Sequence, residues 1–181
     1  MTRLAEFHNG LFLRLESLLA GWAIPTAARF TFASVLLFYY WNSSWTSFGD
    51  GITGFIFMDL GAYAKILPTQ MEAVGYDPSQ LNFFYHLVVF FGNWAELILP
   101  LLIVIGLFSR LAALGMIGFV IVQSVVDVTG HGLDAKTIGA MFDRLSDGLI
   151  MDQRLLWIFL LVTLVLRGGG PLSVDRLIGL K

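Results

Sequence analysis

The sequence predicts an all-α protein: a membrane-spanning four-helix bundle with an N-terminal interfacial helix and short helices capping its outer face. Two observations predict it. The chain is 57% hydrophobic and 13% charged, whereas soluble domains are about 45–50% apolar and about 25% charged. The chain also holds four apolar stretches near the roughly 20 residues that a membrane helix requires. They fill the 181 residues, so a single membrane domain over 1–181 is expected.

The charge balance and the absence of cysteine exclude several functions. Net charge is −2, and no cluster of Lys and Arg interleaved with aromatic residues predicts a nucleic-acid partner. Without cysteine, thiol catalysis and Cys-ligated metals are excluded. Because no catalytic nucleophile motif is evident either, we expect no self-sufficient enzyme. A role as an oxidoreductase subunit stays open, with a cofactor or partner supplying the redox chemistry.

Residues 1–22 predict an amphipathic helix in the membrane interface rather than a signal peptide. Charged residues interrupt what would have to be a continuous apolar core of a signal peptide. Apolar residues recur instead at spacings of three and four, which is typical of a helix with one apolar face: Leu4, Phe7, Leu11, Leu15 and Leu18.

Four membrane spans follow, at about 23–41, 83–107, 111–128 and 149–166. Trp41 and Trp45 fit the aromatic belt at one end of the first span. The turn "GLFSR" separates the second span from the third, and "RGGGP" ends the fourth, since glycine and proline stop helices. Residues 167–181 are then a tail.

The distribution of loop charges predicts the orientation. One side of the bundle holds six cations, namely Arg3, Arg14, Arg110, Arg167, Arg176 and Lys181. The other side, formed by 43–82 and 129–148 with the start of the fourth span, holds four cations and an excess of acidic residues. The positive-inside tendency therefore predicts a multi-pass protein of the bacterial cytoplasmic (inner) membrane with both termini and the tail in the cytoplasm.

Both outer connections contain helix-like stretches, "FIFMDLGAYAKIL" and "DAKTIGAMFDRL". In the second, Ile138, Met141, Phe142 and Leu145 recur at helical spacing. We expect short helices that cap the outer end of the bundle. Helices lying flat on the lipid surface are an equally open interpretation.

Polar residues on the second and third spans fall at matching depths. These spans form an antiparallel hairpin about a turn near Phe108. His86 lies 22 positions before Phe108 and His131 lies 23 after it, while Asn93 and Gln123 are each 15 positions away. Asp127 lies between these two levels. Because charge in hydrocarbon costs about 2.5–3.5 kcal/mol on insertion scales, we expect these residues and Glu96 to form one inward-facing polar seam.

The first candidate site is a buried ion pair between Arg29 and Glu96. With a helical rise of 1.5 Å per residue, their depths in the membrane differ by roughly 6 Å, which an arginine side chain can span. Arg29, Glu96, Asn93 and Gln123 form a candidate quinone or proton site. A pair that serves only helix packing is the alternative.

The second candidate is an outer-face metal site of His86, Asp127 and His131. Two imidazoles and a carboxylate can hold a divalent transition metal, and two histidines from facing helices can ligate haem. No fixed-spacing motif such as HExxH supports either. Hydrogen bonding of all three residues to outer loops stays open.

Several stretches, taken in order, resemble the DoxX family of small membrane proteins. Arg29 lies in the first span, and "AKILPTQMEAVGYDPSQ", "AELILPLLIVIGLFSRLAAL", "DQRLLW" and "RGGGPLSVDRL" follow it. The resemblance covers roughly 25–178. The glycine-rich "NSSWTSFGDGITGFIFMDLG" departs from shorter members. Six residues fall on the family pattern: Arg29, Lys65, Glu96, Arg110, Ser173 and Asp175.

The resemblance implies a four-helix membrane protein in a family named for a subunit of thiosulfate:quinone and terminal-oxidase chemistry. It implies an accessory subunit of a quinone-linked redox system or of a periplasmic maturation system, with a redox or periplasmic protein as partner. A metal-handling membrane protein and a scaffold without ligand are the alternatives, and self-association into a homo-oligomer stays open. Among the residues themselves, Ser173 is suited to cap a short tail helix over "VDRLIGL".

Overall fold

The computed structural model describes residues 2–180, and every regular element in that range is a helix. The long and short α-helices are α1 (Thr2–Leu19), α2 (Ala23–Trp45), α3 (Leu60–Ile66), α4 (Pro68–Ala73), α5 (Phe83–Ile105), α6 (Ser109–Thr129), α7 (Ala135–Ile138), α8 (Leu149–Arg167) and α9 (Val174–Leu177). Two 3₁₀ helices cover Ile52–Phe55 and Pro78–Gln80. The all-α class predicted from the sequence is confirmed.

Three of these helices, α5, α6 and α8, are long and apolar enough to cross a membrane. Helices α1 and α2 meet at 59° and provide a fourth crossing if the bent pair is counted as one span. The described chain therefore has the helices of a multi-pass protein in a lipid bilayer. The second, third and fourth predicted spans are confirmed as membrane-capable helices, to within about two residues at each end.

Two of the long helices contain wide π-helical turns. In α2 the turn covers Ala33–Leu37, and in α8 it covers Leu149–Arg154, the first six residues of the helix. Helix α2 continues to Trp45, four residues beyond the predicted end of the first span. The extra turn of α2 carries Ser44, which is buried against α5.

The main core lies where α6 packs against α5 and α8, with α2 closing the fourth side. It combines small residues, such as Ala28, Ala112 and Ala113, with large apolar ones such as Phe32 and Met116. The buried members are Ala28, Phe32, Leu36, Tyr40, Ile103, Ala112, Ala113, Met116, Val120, Leu161 and Leu164.

The predicted hairpin between the second and third spans is confirmed as α5 and α6. The turn uses two left-handed residues, Gly106 with φ +72° and Phe108 with φ +49°. The Asp175 carboxylate accepts hydrogen bonds from the backbone N–H groups of Phe108 (2.6 Å) and Ser109 (2.8 Å). Asp175 thus provides hydrogen-bond acceptors for two backbone N–H groups at the start of α6 that have no partner within the helix. We call this end of the bundle, with α1, the α5–α6 turn and residues 168–180, the terminal end.

The triple glycine after α8 is a close-packed turn at the terminal end. A Cβ on Gly169 would lie 2.4 Å from Ser109 Oγ, and one on Gly170, whose φ is +75°, would lie 2.7 Å from Pro25 Cγ. A larger residue does not fit at either position. The chain then enters α9, where Ser173 Oγ accepts from the Arg176 backbone N–H at 3.3 Å, so the predicted N-cap is confirmed.

The opposite end, which we call the distal end, contains the two long connections. Residues 46–59 form a tight loop in which Gly49 N–H donates to Gly54 O at 3.2 Å, and a Cβ on Gly54 would lie 1.8 Å from Gly49 O. After this loop, α3 and α4 pack on α5 through a second apolar cluster. The buried members are Met58, Ala62, Tyr63, Leu67, Met71 and Val89.

The helix predicted over "DAKTIGAMFDRL" is wrong beyond its first turn. Helix α7 covers only Ala135–Ile138 and ends where Gly139 adopts φ +78°. Phe142, predicted to lie on an apolar helix face, has φ +66° and is fully exposed. The glycine after one helical turn, with its left-handed backbone, ends the helix before the apolar repeat can form a face.

Candidate functional site

Glu96 lies in the middle of α5 and is buried, with 3% of its side chain exposed. Its Oε2 forms an ion pair with Lys65 Nζ at 2.8 Å. Lys65 comes from α3, outside the membrane-capable helices. A carboxylate in an apolar surrounding is energetically costly without a counter-charge. Lys65 supplies the counter-charge that Glu96 requires in the middle of α5.

The ammonium of Lys65 is almost fully coordinated by protein oxygens. Besides Glu96, it donates to Ser43 Oγ (3.1 Å) in the last turns of α2 and to Ser47 Oγ (2.9 Å) just after α2, and the backbone oxygen of Ser43 lies 3.4 Å away. An ammonium has three N–H donors, and the three side-chain partners use them. Lys65 therefore joins α2, α3 and α5 at one point.

Two histidines hold α3 in the position that brings Lys65 to Glu96. The Tyr63 hydroxyl and His86 Nδ1 lie 2.6 Å apart, and His131 Nε2 lies 3.0 Å from the backbone oxygen of Lys65. Burial raises the pKa of the Tyr63 phenol above its ordinary value, so the hydroxyl stays neutral. His86 and His131 thus fasten α3 to α5 and to the residues that follow α6.

The predicted pair between Arg29 and Glu96 does not form. The Arg29 guanidinium instead binds four backbone oxygens at the terminal end, those of Ile103 (3.1 Å), Val104, Gly169 (3.0 Å) and Leu172 (2.6 Å). The last carbonyls of a helix have no partner within it, and a planar guanidinium with five donors satisfies several at once. Arg29 is a structural connector between α2, the end of α5 and the glycine turn.

The other two residues of the predicted quinone or proton site are separated from each other. Asn93 is fully buried on α5, where its Nδ2 lies 3.4 Å from Met58 Sδ. Gln123 on α6 donates from Nε2 to the Tyr39 hydroxyl at 3.5 Å, while its buried Oε1 has no partner among the described residues. Of the four predicted residues, only Glu96 and Gln123 reach a common cavity.

That cavity is a groove of about 280 Å³ between α5 and α6, and we call it the α5–α6 groove. Its walls are mostly apolar, and Lys65, Glu96, Gln123 and Asp127 supply the polar atoms. Small residues leave the space open, namely Gly92, Ala95, Gly115 and Gly118. Gly118 and Val122 line the groove and are exposed on the surface of α6, so the groove opens to the outside of the bundle there. The surface around this opening carries exposed apolar side chains.

The predicted metal site of His86, Asp127 and His131 does not come together. Asp127 Oδ2 instead accepts from Arg154 Nη2 at 2.5 Å, and Arg154 Nη1 donates to Ser124 Oγ at 3.0 Å. Over residues 2–180, no group of three His, Asp or Glu side chains is arranged to hold a metal ion. His86 and His131 each use one ring nitrogen in contacts with protein groups, Nδ1 of His86 with Tyr63 and Nε2 of His131 with the backbone of Lys65.

Sequence reasoning missed the roles of Lys65 and Arg154. Arg154 is only 1% exposed, yet its position at the start of the fourth span suggested a solvent-facing cation. For Arg154 a signal was present, because Asp127 near the end of the third span and Arg154 near the start of the fourth lie at the same end of the bundle. For Lys65 no such signal was present, because Glu96 lies in the middle of its span and Lys65 lies outside the spans.

The remaining residues of the family pattern have structural contacts at the terminal end. Arg110 Nη1 donates to the backbone oxygens of Val165 (2.7 Å) and Leu166 (2.9 Å) near the end of α8. Together with Asp175 and Ser173, it fixes the ends of α8, α6 and α9. These contacts satisfy helix ends that would otherwise lack partners.

Comparisons with known proteins identify no relative. No protein-family model, no curated protein and no solved structure matches the chain.

Proposed function

We propose that the protein is a membrane-embedded accessory component of a quinone-linked redox or periplasmic maturation system, and that it binds a hydroquinone head group in the α5–α6 groove. The resemblance to the DoxX family remains part of this proposal. What carries it is one observation: the mostly apolar groove is lined by the carboxylate of Glu96 and by the amide of Gln123, whose Oε1 has no hydrogen-bond partner among the described residues.

The shape of the groove supports a ligand that is mainly apolar. Ligand pockets are typically about 300–1,000 Å³, apolar, and equipped with a few polar groups that orient the ligand. At about 280 Å³, the α5–α6 groove has the size for one substituted ring. Its opening between exposed apolar residues lets an isoprenoid tail extend into lipid.

The polar atoms in the groove favour the reduced, hydroxyl-bearing form of the ligand. The carboxylate of Glu96 can only accept hydrogen bonds, and its Oε1 accepts none from the residues that the structure describes. The donors of Lys65 are used by Ser43, Ser47 and Glu96. A hydroquinone has an O–H donor for Glu96 Oε1, whereas a quinone has only acceptors.

An accessory role agrees with the chemistry of the chain. The sequence has no cysteine, so this chain supplies no thiol for electron transfer. In the proposal, the chain binds and orients the hydroquinone, Glu96 accepts a hydrogen bond from one hydroxyl, and the redox reaction itself takes place on a partner protein. Lys65 binds Oε2 of Glu96, which leaves Oε1 to accept the hydrogen bond of the ligand.

Binding of a short-tailed ubiquinol under anaerobic conditions tests the proposal. We expect the purified protein to bind the ubiquinol more tightly than the matching ubiquinone, because only the reduced form supplies donors. Gly118→Leu fills the groove and should abolish binding. A Cβ at Gly118 meets no atom within 4 Å, so this variant should fold.

Gly118→Ala is the matched control, since it adds one methyl group at the open edge and should retain binding. Equal binding of ubiquinol by the wild type and Gly118→Leu would refute the site. Absence of ubiquinol binding by a folded wild type would leave the scaffold alternative, in which the ion pairs only fix helix packing.

A further inference from the structure

A second cavity lies at the terminal end of the bundle, away from the α5–α6 groove. It measures about 350 Å³ and is bordered by the glycine turn, Gly21 and the tail. Three arginines line it: Arg110 from the start of α6, Arg167 from the end of α8, and Arg176 from α9. The cavity thus gathers cations from three helices, of which α6 is distant in sequence from α8 and α9.

The only acidic side chain that lines this cavity from the described part of the chain is already engaged. Asp175 accepts from the backbone N–H groups of Phe108 and Ser109, one on each carboxylate oxygen. Its charge is directed at the start of α6, where it balances the helix dipole. The three arginines therefore leave an excess of positive charge in the cavity.

The arginines have donors left for a ligand. Arg110 uses Nη1 for the oxygens of Val165 and Leu166, and its Nε and Nη2 make no hydrogen bond within residues 2–180. The side chains of Arg167 and Arg176 are exposed and form no ion pair in that range. Guanidinium groups bind the oxygens of a phosphate through paired N–H donors.

The wall of the cavity is fixed in place. Gly169 lies against Ser109, Gly170 lies against Pro25, and Arg29 donates to Gly169 O at 3.0 Å. Gly168 and Gly169 are buried and Gly170 is partly buried, so the glycine turn forms a packed wall of the cavity. A rigid site loses less conformational entropy when it binds a ligand than a flexible one does.

The position of the cavity relative to the ends of the membrane-capable helices indicates which phosphate-bearing molecule can reach it. Arg110 is the second residue of α6 and Arg167 is the last residue of α8, both of which are membrane-capable helices. Residues at the ends of such helices lie near the lipid head groups. Basic pockets at that level bind anionic lipid head groups.

We propose that the terminal-end cavity binds the phosphate of an anionic phospholipid through Arg110, Arg167 and Arg176. The site is independent of the α5–α6 groove, so its failure would leave the hydroquinone proposal intact, and the reverse also holds. The excess positive charge disfavours zwitterionic lipids, whose choline group carries a cation.

Native mass spectrometry of the delipidated protein, with phosphatidylglycerol or phosphatidylcholine added, tests this proposal. We expect one phosphatidylglycerol to bind with clear preference over phosphatidylcholine. Arg167→Gln/Arg176→Gln should weaken phosphatidylglycerol binding about tenfold or more, since each arginine near an anionic head group contributes a several-fold factor. Both residues are exposed and make no side-chain hydrogen bond within residues 2–180, so the variant should fold.

Arg144→Gln, an exposed arginine at the distal end, is the matched control and should bind phosphatidylglycerol like the wild type. Equal retention by the wild type and the double variant would overturn the proposal. In a separate arm, inorganic phosphate replaces the lipid. Stabilisation by phosphate that depends on the same arginines, without retention of phosphatidylglycerol, would reassign the site to a soluble anion and overturn the lipid assignment.

Discussion

Lys65 Nζ lies 2.8 Å from Glu96 Oε2, which joins a short helix outside the membrane-capable segments to the middle of α5. The lysine side chain is 36% exposed, whereas the glutamate is almost completely buried. The pair therefore has a buried end and an accessible end. This asymmetry determines how each partner responds to substitution.

Lys65→Met should destabilise the protein more than Glu96→Gln. The first variant leaves a carboxylate buried without its cation, at a cost of about 2–3 kcal/mol after allowance for the exposure of Lys65. The second leaves an ammonium that can still bind Ser43, Ser47 and water, at a cost of about 1 kcal/mol. Thermal unfolding in detergent measures both. A larger loss in Glu96→Gln would contradict the asymmetry.

Arg29→Lys should destabilise the protein by about 2–4 kcal/mol although the charge is kept. A lysine ammonium cannot reach four carbonyls that a planar guanidinium binds together. Arg14→Lys, on the exposed α1, is the matched control and should change the unfolding temperature little. Equal unfolding temperatures for the two variants would show that Arg29 does not hold the end of α5.

Asp127→Asn should destabilise the protein by about 3 kcal/mol, because it removes the counter-charge of the buried Arg154. The loss should be the same with and without a metal chelator, since Asp127 acts through Arg154. Combining it with Arg154→Met should recover part of the loss. A chelator effect on the wild type that disappears in Asp127→Asn would restore the metal interpretation.

The cap of α7 should weaken in acid. Backbone and side-chain hydrogen bonds from Thr137 hold the pKa of Asp134 below its ordinary value of 3.8. A lowered folded-state pKa means that the contribution is complete above 3.8 and is lost as pH falls through the folded value. Amide resonances of Lys136 and Thr137 should shift in that window. Asp134→Asn keeps an acceptor and should abolish this pH dependence, and a persistent shift would refute the cap.

The long helices could be predicted from the sequence because hydropathy is a local property. The apolar stretches that became α5, α6 and α8 are bounded by glycine turns that the sequence displays directly. The cap at Ser173 was also predictable, since it depends on residues three positions apart. Local patterns such as these do not depend on how distant segments pack.

The partners of the polar residues could not be predicted in the same way. Matching depths along the chain placed Arg29 within reach of Glu96 but carried no information on α3, whose position depends on His86 and His131. Arg29 also had a competing set of partners, the free carbonyls at the end of α5. The rule that buried charge turns inward held, but tertiary packing decided which residues met.

Double-mutant cycles on Glu96 test the central claim most directly. The free energy of unfolding is measured for the wild type, the single variants and the double variants of Glu96→Gln with Lys65→Met and with Arg29→Lys. We expect a coupling energy of about 1 kcal/mol or more for Glu96 with Lys65, and one within about 0.5 kcal/mol of zero for Glu96 with Arg29. Strong coupling to Arg29 with none to Lys65 would contradict the account.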